Sequence, residues 1–133
     1  MDFGKMRIVS IDDNEMELTI LKSMLKKLGL NDIKLFSGPE DALEHITDNG
    51  ADIVLTDYLM PRMDGVKLAK EIKKRWKNIP VIMITSQGDD QDLRKRAREN
   101  GVLDILTKPL HSRQLKEAVE SAFVVRISAG MAD

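Results

Sequence analysis

Asp57 closes an apolar run, Ile53-Val54-Leu55, and is followed by Met60-Pro61 and then by an Asp64-Gly65 turn. A carboxylate at the end of a buried strand is costly unless something pairs with it. Two more acids, Asp12 and Asp13, stop a second apolar run, MRIVSI. Thr85-Ser86 ends a third run and Thr107-Lys108 a fourth. Acids that share a cleft repel each other, so either one keeps its proton or a cation sits among them. The chain has no cysteine and only two histidines, His45 and His111, far apart in sequence. An all-oxygen donor set favours a hard ion such as Mg²⁺. That ion and Lys108 together balance the three acids, so the site tolerates a dianionic phosphoryl donor. In such a setting the Asp57 carboxylate is an acceptable phosphoryl nucleophile. Lys108 would contact phosphoryl oxygens, and Thr85 would donate a hydrogen bond to another.

The elements that must bring these residues together follow from periodicity. Met6 to Ile11 is short, apolar and β-rich and reads as a buried strand. From Asn14 to Leu28 the period becomes helical, with Leu21, Leu25 and Leu28 on one face, Ile20 and Met24 beside them, and Gly29 as cap. Asp32 to Ser37 alternates polar and apolar residues, as a half-exposed edge strand does. Pro39 opens a helix whose inner face is Ala42, Leu43 and Ile46, and Asn49-Gly50 ends it. Ala51 to Asp57 is the third strand, and Val66 to Trp76 the third helix, with Leu68, Ile72 and Trp76 inside and a basic, solvated outer face. Pro80 to Thr85 is the fourth strand. The helix ending at Asn100 has little inner face beyond Leu93 and Ala97, so it is expected to be the least firmly packed. Val102 to Thr107, broken by Asp104, reads as the other edge strand. Ser112 is the expected cap of a last helix carrying Leu115, Ala118, Val119, Ala122 and Phe123 inside; the residues from Ile127 to Asp133 have no clear assignment. Five strands alternating with five helices predict an α/β fold with a parallel sheet covered on both faces. In such sheets ligands bind at the carboxyl ends of the strands, where strand order reverses.

Bulk properties exclude several functions. The chain has 133 residues, the size of one domain, and a net charge of −1, which provides no general attraction to nucleic acid or anionic membranes. Without cysteine there are no disulfides, no thiolate catalysis and no cysteine-based zinc site. The opening stretch MDFGKMRIVSID has no long apolar segment and reads as neither a signal peptide nor a membrane span. The expected location is therefore the cytoplasm.

Taken together, Asp12-Asp13, Asp57 with the run Met60-Pro61-Arg62-Met63-Asp64-Gly65, Thr85 and Lys108-Pro109 resemble a response-regulator receiver domain over about residues 5–125. The resemblance implies a flavodoxin-like, doubly wound, five-stranded parallel sheet in the order 2-1-3-4-5 with five helices, and a single domain over residues 1–133. It also implies that Asp57 is the phosphoacceptor. Mg²⁺ would be held by Asp13, Asp57 and the backbone carbonyl of Leu59, with Asp12 acting mostly through water. Lys108 would pair with the phosphoryl group, the Lys108-Pro109 bond would be cis, and Thr85 would be the switch hydroxyl. The implied partners are a histidine kinase or histidine phosphotransfer protein as donor, and a downstream protein that reads the face of the fourth helix, fifth strand and fifth helix. Such a chain is a phosphoacceptor signalling protein, not an enzyme that turns over substrate.

Two departures from the family pattern matter. The position three before the lysine, often aromatic, is Ile105, so no aromatic flip can report a Thr85 shift. Leu59 and Gln87 stand where residues flank the attacking water in dephosphorylation, and an apolar Leu59 cannot orient that water, so a comparatively long-lived phosphoryl state is expected. Three other readings compete. A small Mg²⁺-dependent phosphohydrolase could use Asp12 as nucleophile, since Asp12-Asp13-Asn14 loosely resembles the haloacid-dehalogenase motif, but its third residue is Asn14 and no cap domain is present. A flavodoxin-like mononucleotide binder would want a Gly-, Ser- and Thr-rich first loop where this chain is acidic. A degenerate receiver serving only as a binding module would not need all the acids, Thr85 and Lys108. With no room for an output domain, the chain acts through protein contacts or as a piece of a longer protein.

Overall fold

A computed structural model describes residues 2–132. After a short 3₁₀ turn at Phe3–Lys5, strands β1 (Arg7–Ile11), β2 (Asp32–Phe36), β3 (Ile53–Asp57), β4 (Val81–Thr85) and β5 (Val102–Thr107) alternate with helices α1 (Glu15–Lys27), α2 (Pro39–Asn49), α3 (Gly65–Arg75), α4 (Gln91–Glu99) and α5 (Ser112–Ala132). All neighbouring strands are parallel, in the order β2-β1-β3-β4-β5. The expected doubly wound topology is therefore the observed one.

Period-2 alternation along the strands builds two cores, one on each face of the sheet. Val9, Ile11, Val54, Val81 and Met83 face one side, where they meet α2, α3 and α4. Ile8, Ile53, Leu55, Ile82 and Ile84 face the other, against α1 and α5. β2 buries only alternate residues at its start, and β5 leaves Leu103 and Asp104 exposed, as suits two edges. A register shift between Val81 and Ile82 lets Val102 pair with Val81 and Asp104 with Ile82, so Leu103 forms the bulge that breaks the β5 edge. Only Leu93 and Ala97 of α4 are buried, as expected of a lightly anchored helix.

Two local expectations are corrected. On α1 the buried residues are Leu18, Leu21 and Leu25, while Ile20 is 53% exposed. Ile20 lies two residues from Leu18, which on a helix is the opposite side. Leu28 packs, partly buried, against the same core as expected and is also the C-cap, followed by Gly29 at φ 95° with its N–H donating to the Lys26 carbonyl. Ser112 is the first helical residue of α5, not its cap: the Leu115 N–H donates to the carbonyl of His111, one position earlier. The stretch left unassigned from Ile127 continues α5 as far as Ala132; Asp133 lies outside the described residues.

α5 is tied down by a buried carboxylate at the opposite end of the sheet from the acids. Asp52 accepts from the Arg7 backbone N–H at 2.7 Å, from Arg7 Nη2 at 3.1 Å and from Arg126 Nε at 3.2 Å. Burial pushes the Asp52 carboxyl up, but the two arginines outweigh it and hold it below its usual value.

Candidate functional site

Register explains why the acids meet. Ile11 of β1 pairs with Thr56 of β3, so Asp12 and Asp57 emerge side by side, one residue further on. β1 is also paired to β2 on its other side, so strand order reverses between β1 and β3, where a cleft opens above the strand ends. Asp57 pairs in register with Ile84, and Thr85 with Thr107, which carries Thr85 and Lys108 to the same edge. The Lys108-Pro109 bond is cis, and the Lys108 N–H donates to the Thr85 carbonyl at 2.9 Å. Gly65 closes the loop after Asp57: its N–H donates to the Tyr58 carbonyl at 2.7 Å, and a Cβ there would collide with the Asp57 backbone oxygen.

The ammonium of Lys108 sits among three carboxylates. Its Nζ lies 3.3 Å from Asp57 Oδ1, 3.5 Å from Asp12 Oδ2 and 2.5 Å from Glu17 Oε2. Oxygen atoms of Asp12, Glu17 and Asp57 all lie within 4.8 Å of one another. The third acid is thus Glu17 of α1, which sequence reasoning missed. A weak signal existed, since Asn14 and Glu17 have the spacing of a helix-capping pair and the Asn14 side chain accepts from the Glu17 N–H at 3.1 Å. Asp13, by contrast, is exposed and stands outside this group. Leu59 follows in the β3–α3 loop with its side chain 56% exposed. Thr85 is buried, and its hydroxyl accepts from the Gln87 N–H at 3.1 Å. Ile105 packs into the core on the α2–α3–α4 side.

The electrostatics are those of a site short of positive charge. Burial raises Asp12 to about 7; its shared hydrogen bond with Glu17 and the nearby Asp57 charge add to the rise, and the Asn14 N–H and Lys108 oppose it. Asp57 is also raised by burial, against the pull of Lys108 and of the Tyr58 N–H, which donates to its Oδ1 at 2.9 Å. The Lys108 hydrogen bond holds Glu17 below its usual value. Burial pulls Lys108 down, but Glu17, Asp57 and Asp12 outweigh it and keep the ammonium charged. Clustered carboxylate oxygens, those of Asp12 and Asp57 on groups raised by burial, suit a hard divalent cation, which would relieve their repulsion. Asp12, Glu17 and Asp57 are the side chains placed to hold one.

Two features surround this cluster. A groove of about 240 Å³ runs beside it, lined by Ile20, Met24, Ile84 and Leu110 among others. On the other flank the Tyr58 hydroxyl accepts from Arg96 Nη2 of α4 at 2.6 Å, with the guanidinium carbon 5.7 Å from the ring centre.

Comparison with known proteins agrees with this geometry. Residues 8–120 match the family model of the response regulator receiver domain. The chain is 32% identical over 118 residues to the chemotaxis protein CheY1 of Helicobacter pylori, covering 86% of this chain and 94% of that one. It is 33% identical over 129 residues to the cyclic di-GMP phosphodiesterase response regulator RpfG of Xanthomonas campestris, covering 94% of this chain but spanning only 33% of the relative's length. Among solved structures, a response regulator receiver domain from Clostridium thermocellum superposes with a TM-score of 0.81 at 32% identity, covering 89% of this chain and 94% of that one. The CheX-CheY-BeF3-Mg+2 complex from Borrelia burgdorferi contains a chain that superposes at 0.82 with 28% identity, covering 89% of each. Among the described residues no helix is long and apolar enough to cross a membrane. The chain belongs to the response regulator receiver domain family, the signalling module of two-component systems.

Proposed function

We propose that Asp57 is the phosphoacceptor and that it takes the phosphoryl group from a phosphohistidine of a histidine kinase or histidine phosphotransfer protein. The observation that carries this reading is the position of the Lys108 ammonium, 3.3 Å from Asp57 Oδ1 at the strand-order reversal. Tyr58 N–H and Lys108 both engage Oδ1, so Oδ2 is the oxygen that attacks phosphorus as the P–N bond to the imidazole breaks. The departing imidazole keeps the electron pair and gains a proton from water. Mg²⁺, when bound, neutralises charge on the phosphoryl oxygens. Asp12, Asp57 and Glu17 would hold it from this chain's side chains, with the Leu59 carbonyl and Asp13 as further candidates. Lys108 holds the transferred group by charge, and Thr85 donates to it once its hydroxyl turns away from Gln87.

This reading makes the chain a single-turnover phosphoacceptor in the cytoplasm. Its output surface is the face of α4, β5 and α5, and α4 moves because so little of it is buried. The groove beside the acids offers the donor an apolar contact next to the reacting carboxylate. The test is intact mass after incubation with Mg²⁺ and acetyl phosphate, with wild type beside Asp57→Ala. A gain of one phosphoryl group that needs Mg²⁺ and vanishes in the variant is the expected result. A gain that persists in the variant would move the nucleophile elsewhere, Asp12 first.

A further inference from the structure

Glu17 has no part in the chemistry described so far beyond its place near the cation, yet it makes the shortest contact of the lysine. Lys108 Nζ is 2.5 Å from Glu17 Oε2, against 3.3 Å from Asp57 and 3.5 Å from Asp12. Its backbone is held in the first turn of α1 by the Asn14 side chain, and Asn14 N–H in turn donates to Asp12 Oδ1 at 2.9 Å. One turn along, Leu18, Leu21 and Leu25 anchor the helix to the sheet. The carboxylate is therefore presented to Lys108 from a fixed helix, not from a loose loop. An ammonium has three protons to donate and a compact charge that follows whichever anion is nearest.

We propose that Glu17 is a positioning residue that tethers the Lys108 ammonium on the α1 side and so limits how readily Asp57 takes up the phosphoryl group. The inference rests on the reading of Asp57 as acceptor. Phosphorylation converts the Asp57 carboxylate to an acyl phosphate and moves the negative charge outward onto three phosphoryl oxygens. Lys108 must follow that charge, and to do so it must loosen its hold on Glu17. The tether therefore opposes the phosphorylated state and favours the resting one. The pair is partly exposed, with the lysine and glutamate side chains 22% and 42% accessible. Its strength is accordingly that of a solvent-screened ion pair, about two- to fivefold in rate or equilibrium.

The tether is separable from a general field of negative charge by length. Glu17→Gln removes the charge, whereas Glu17→Asp keeps it but is one methylene too short to hold Nζ in place. Two readouts are taken on both variants and on wild type. The first is the rate of phosphorylation by acetyl phosphate at saturating Mg²⁺. The second is the side-chain ammonium signal of Lys108 in ¹⁵N NMR at low temperature and mildly acid pH, assigned by its loss in Lys108→Ala. The proposal expects a persistent Lys108 ammonium signal in wild type, its broadening in both variants, and phosphorylation faster by about two- to fivefold in both. An unchanged ammonium signal in Glu17→Gln overturns it. So does a rate that rises in Glu17→Gln but stays at the wild-type value in Glu17→Asp, which is the signature of charge alone. A loss of Mg²⁺ affinity above tenfold with the ammonium signal intact would overturn the tether and leave Glu17 with its place in the cation-holding cluster alone. If no form of the protein is phosphorylated, wild type included, the acceptor reading fails, while the ammonium signal still decides the tether.

Discussion

Asp12→Asn should stabilise the protein in the absence of divalent metal, and by an amount that grows with pH. The Asp12 side chain is buried, and its carboxyl is raised to about 7 from an ordinary 3.8, chiefly by burial. A carboxyl whose folded pKa lies above its unfolded one keeps its proton in the native state while the unfolded chain has lost it. Stability then falls as pH rises from about 4 towards 7, by at most about 1.4 kcal/mol per unit, and levels off above. The full interval would amount to about 4 kcal/mol, but Glu17 and Lys108 adjust their own protons to Asp12, so about 2 kcal/mol is the expected effect. Asn is nearly isosteric and keeps an oxygen to accept from the Asn14 N–H, so the start of α1 survives the change. The assay is urea unfolding with a chelator present, at pH 5 and pH 8, on both proteins. The variant should gain about 2 kcal/mol over wild type at pH 8 and little at pH 5. Adding Mg²⁺ at pH 8 should then stabilise wild type more than the variant, because the cation relieves the same repulsion. Equal differences at the two pH values, or a variant less stable at pH 8, would refute the account of the site as one frustrated by negative charge.

Asp52→Ala removes the partner of both Arg7 and Arg126 and should cost about 2–3 kcal/mol in denaturant unfolding, below the usual loss for a broken buried pair because Arg7 is 43% exposed. The Asp52 pKa is depressed, so its contribution is full above the unfolded carboxylate value and is lost as pH falls from there through the lower folded value; a cost that does not shrink as pH drops below about 4 would contradict this. Arg96→Ala cuts the link from α4 to Tyr58 and should speed amide hydrogen exchange in α4 severalfold while leaving phosphorylation by acetyl phosphate near wild type; unchanged exchange would show the link to be idle. Thr85→Ala should leave phosphorylation largely intact and blunt the phosphorylation-dependent change in partner affinity, read by titration with and without the phosphoryl group. Leu59→Asn places an amide beside the scissile bond and should shorten the phosphoryl lifetime in a decay assay; an unchanged lifetime would remove Leu59 from the account of that lifetime.

Much of this protein was determined by local pattern. Apolar runs that stop at Asp12, Asp57, Thr85 and Lys108 mark strand ends, and the alternation of short strands with helices specifies a parallel sheet, whose strand ends share one edge. Helix faces with i, i+3 and i+4 spacing, such as Ala42, Leu43 and Ile46, were likewise legible, because burial follows the period of the element. Other features depend on how elements pack, which no local window contains. Glu17 enters the site only because α1 lies across the β1 end at an angle that aims its first turn at Lys108, 91 residues away. Asp12 is buried and Asp13 exposed just past the end of β1, a difference that the surrounding elements decide and the Asp-Asp pair by itself does not show. The anchoring of α5 likewise spans the chain: Arg126 finds Asp52, 74 positions earlier, and the helix runs on to Ala132 without a clear apolar period. The sequence thus determined which chemistry the strand ends can perform. Tertiary packing decided which carboxylates share the lysine, because burial and charge act through distance in space and not along the chain.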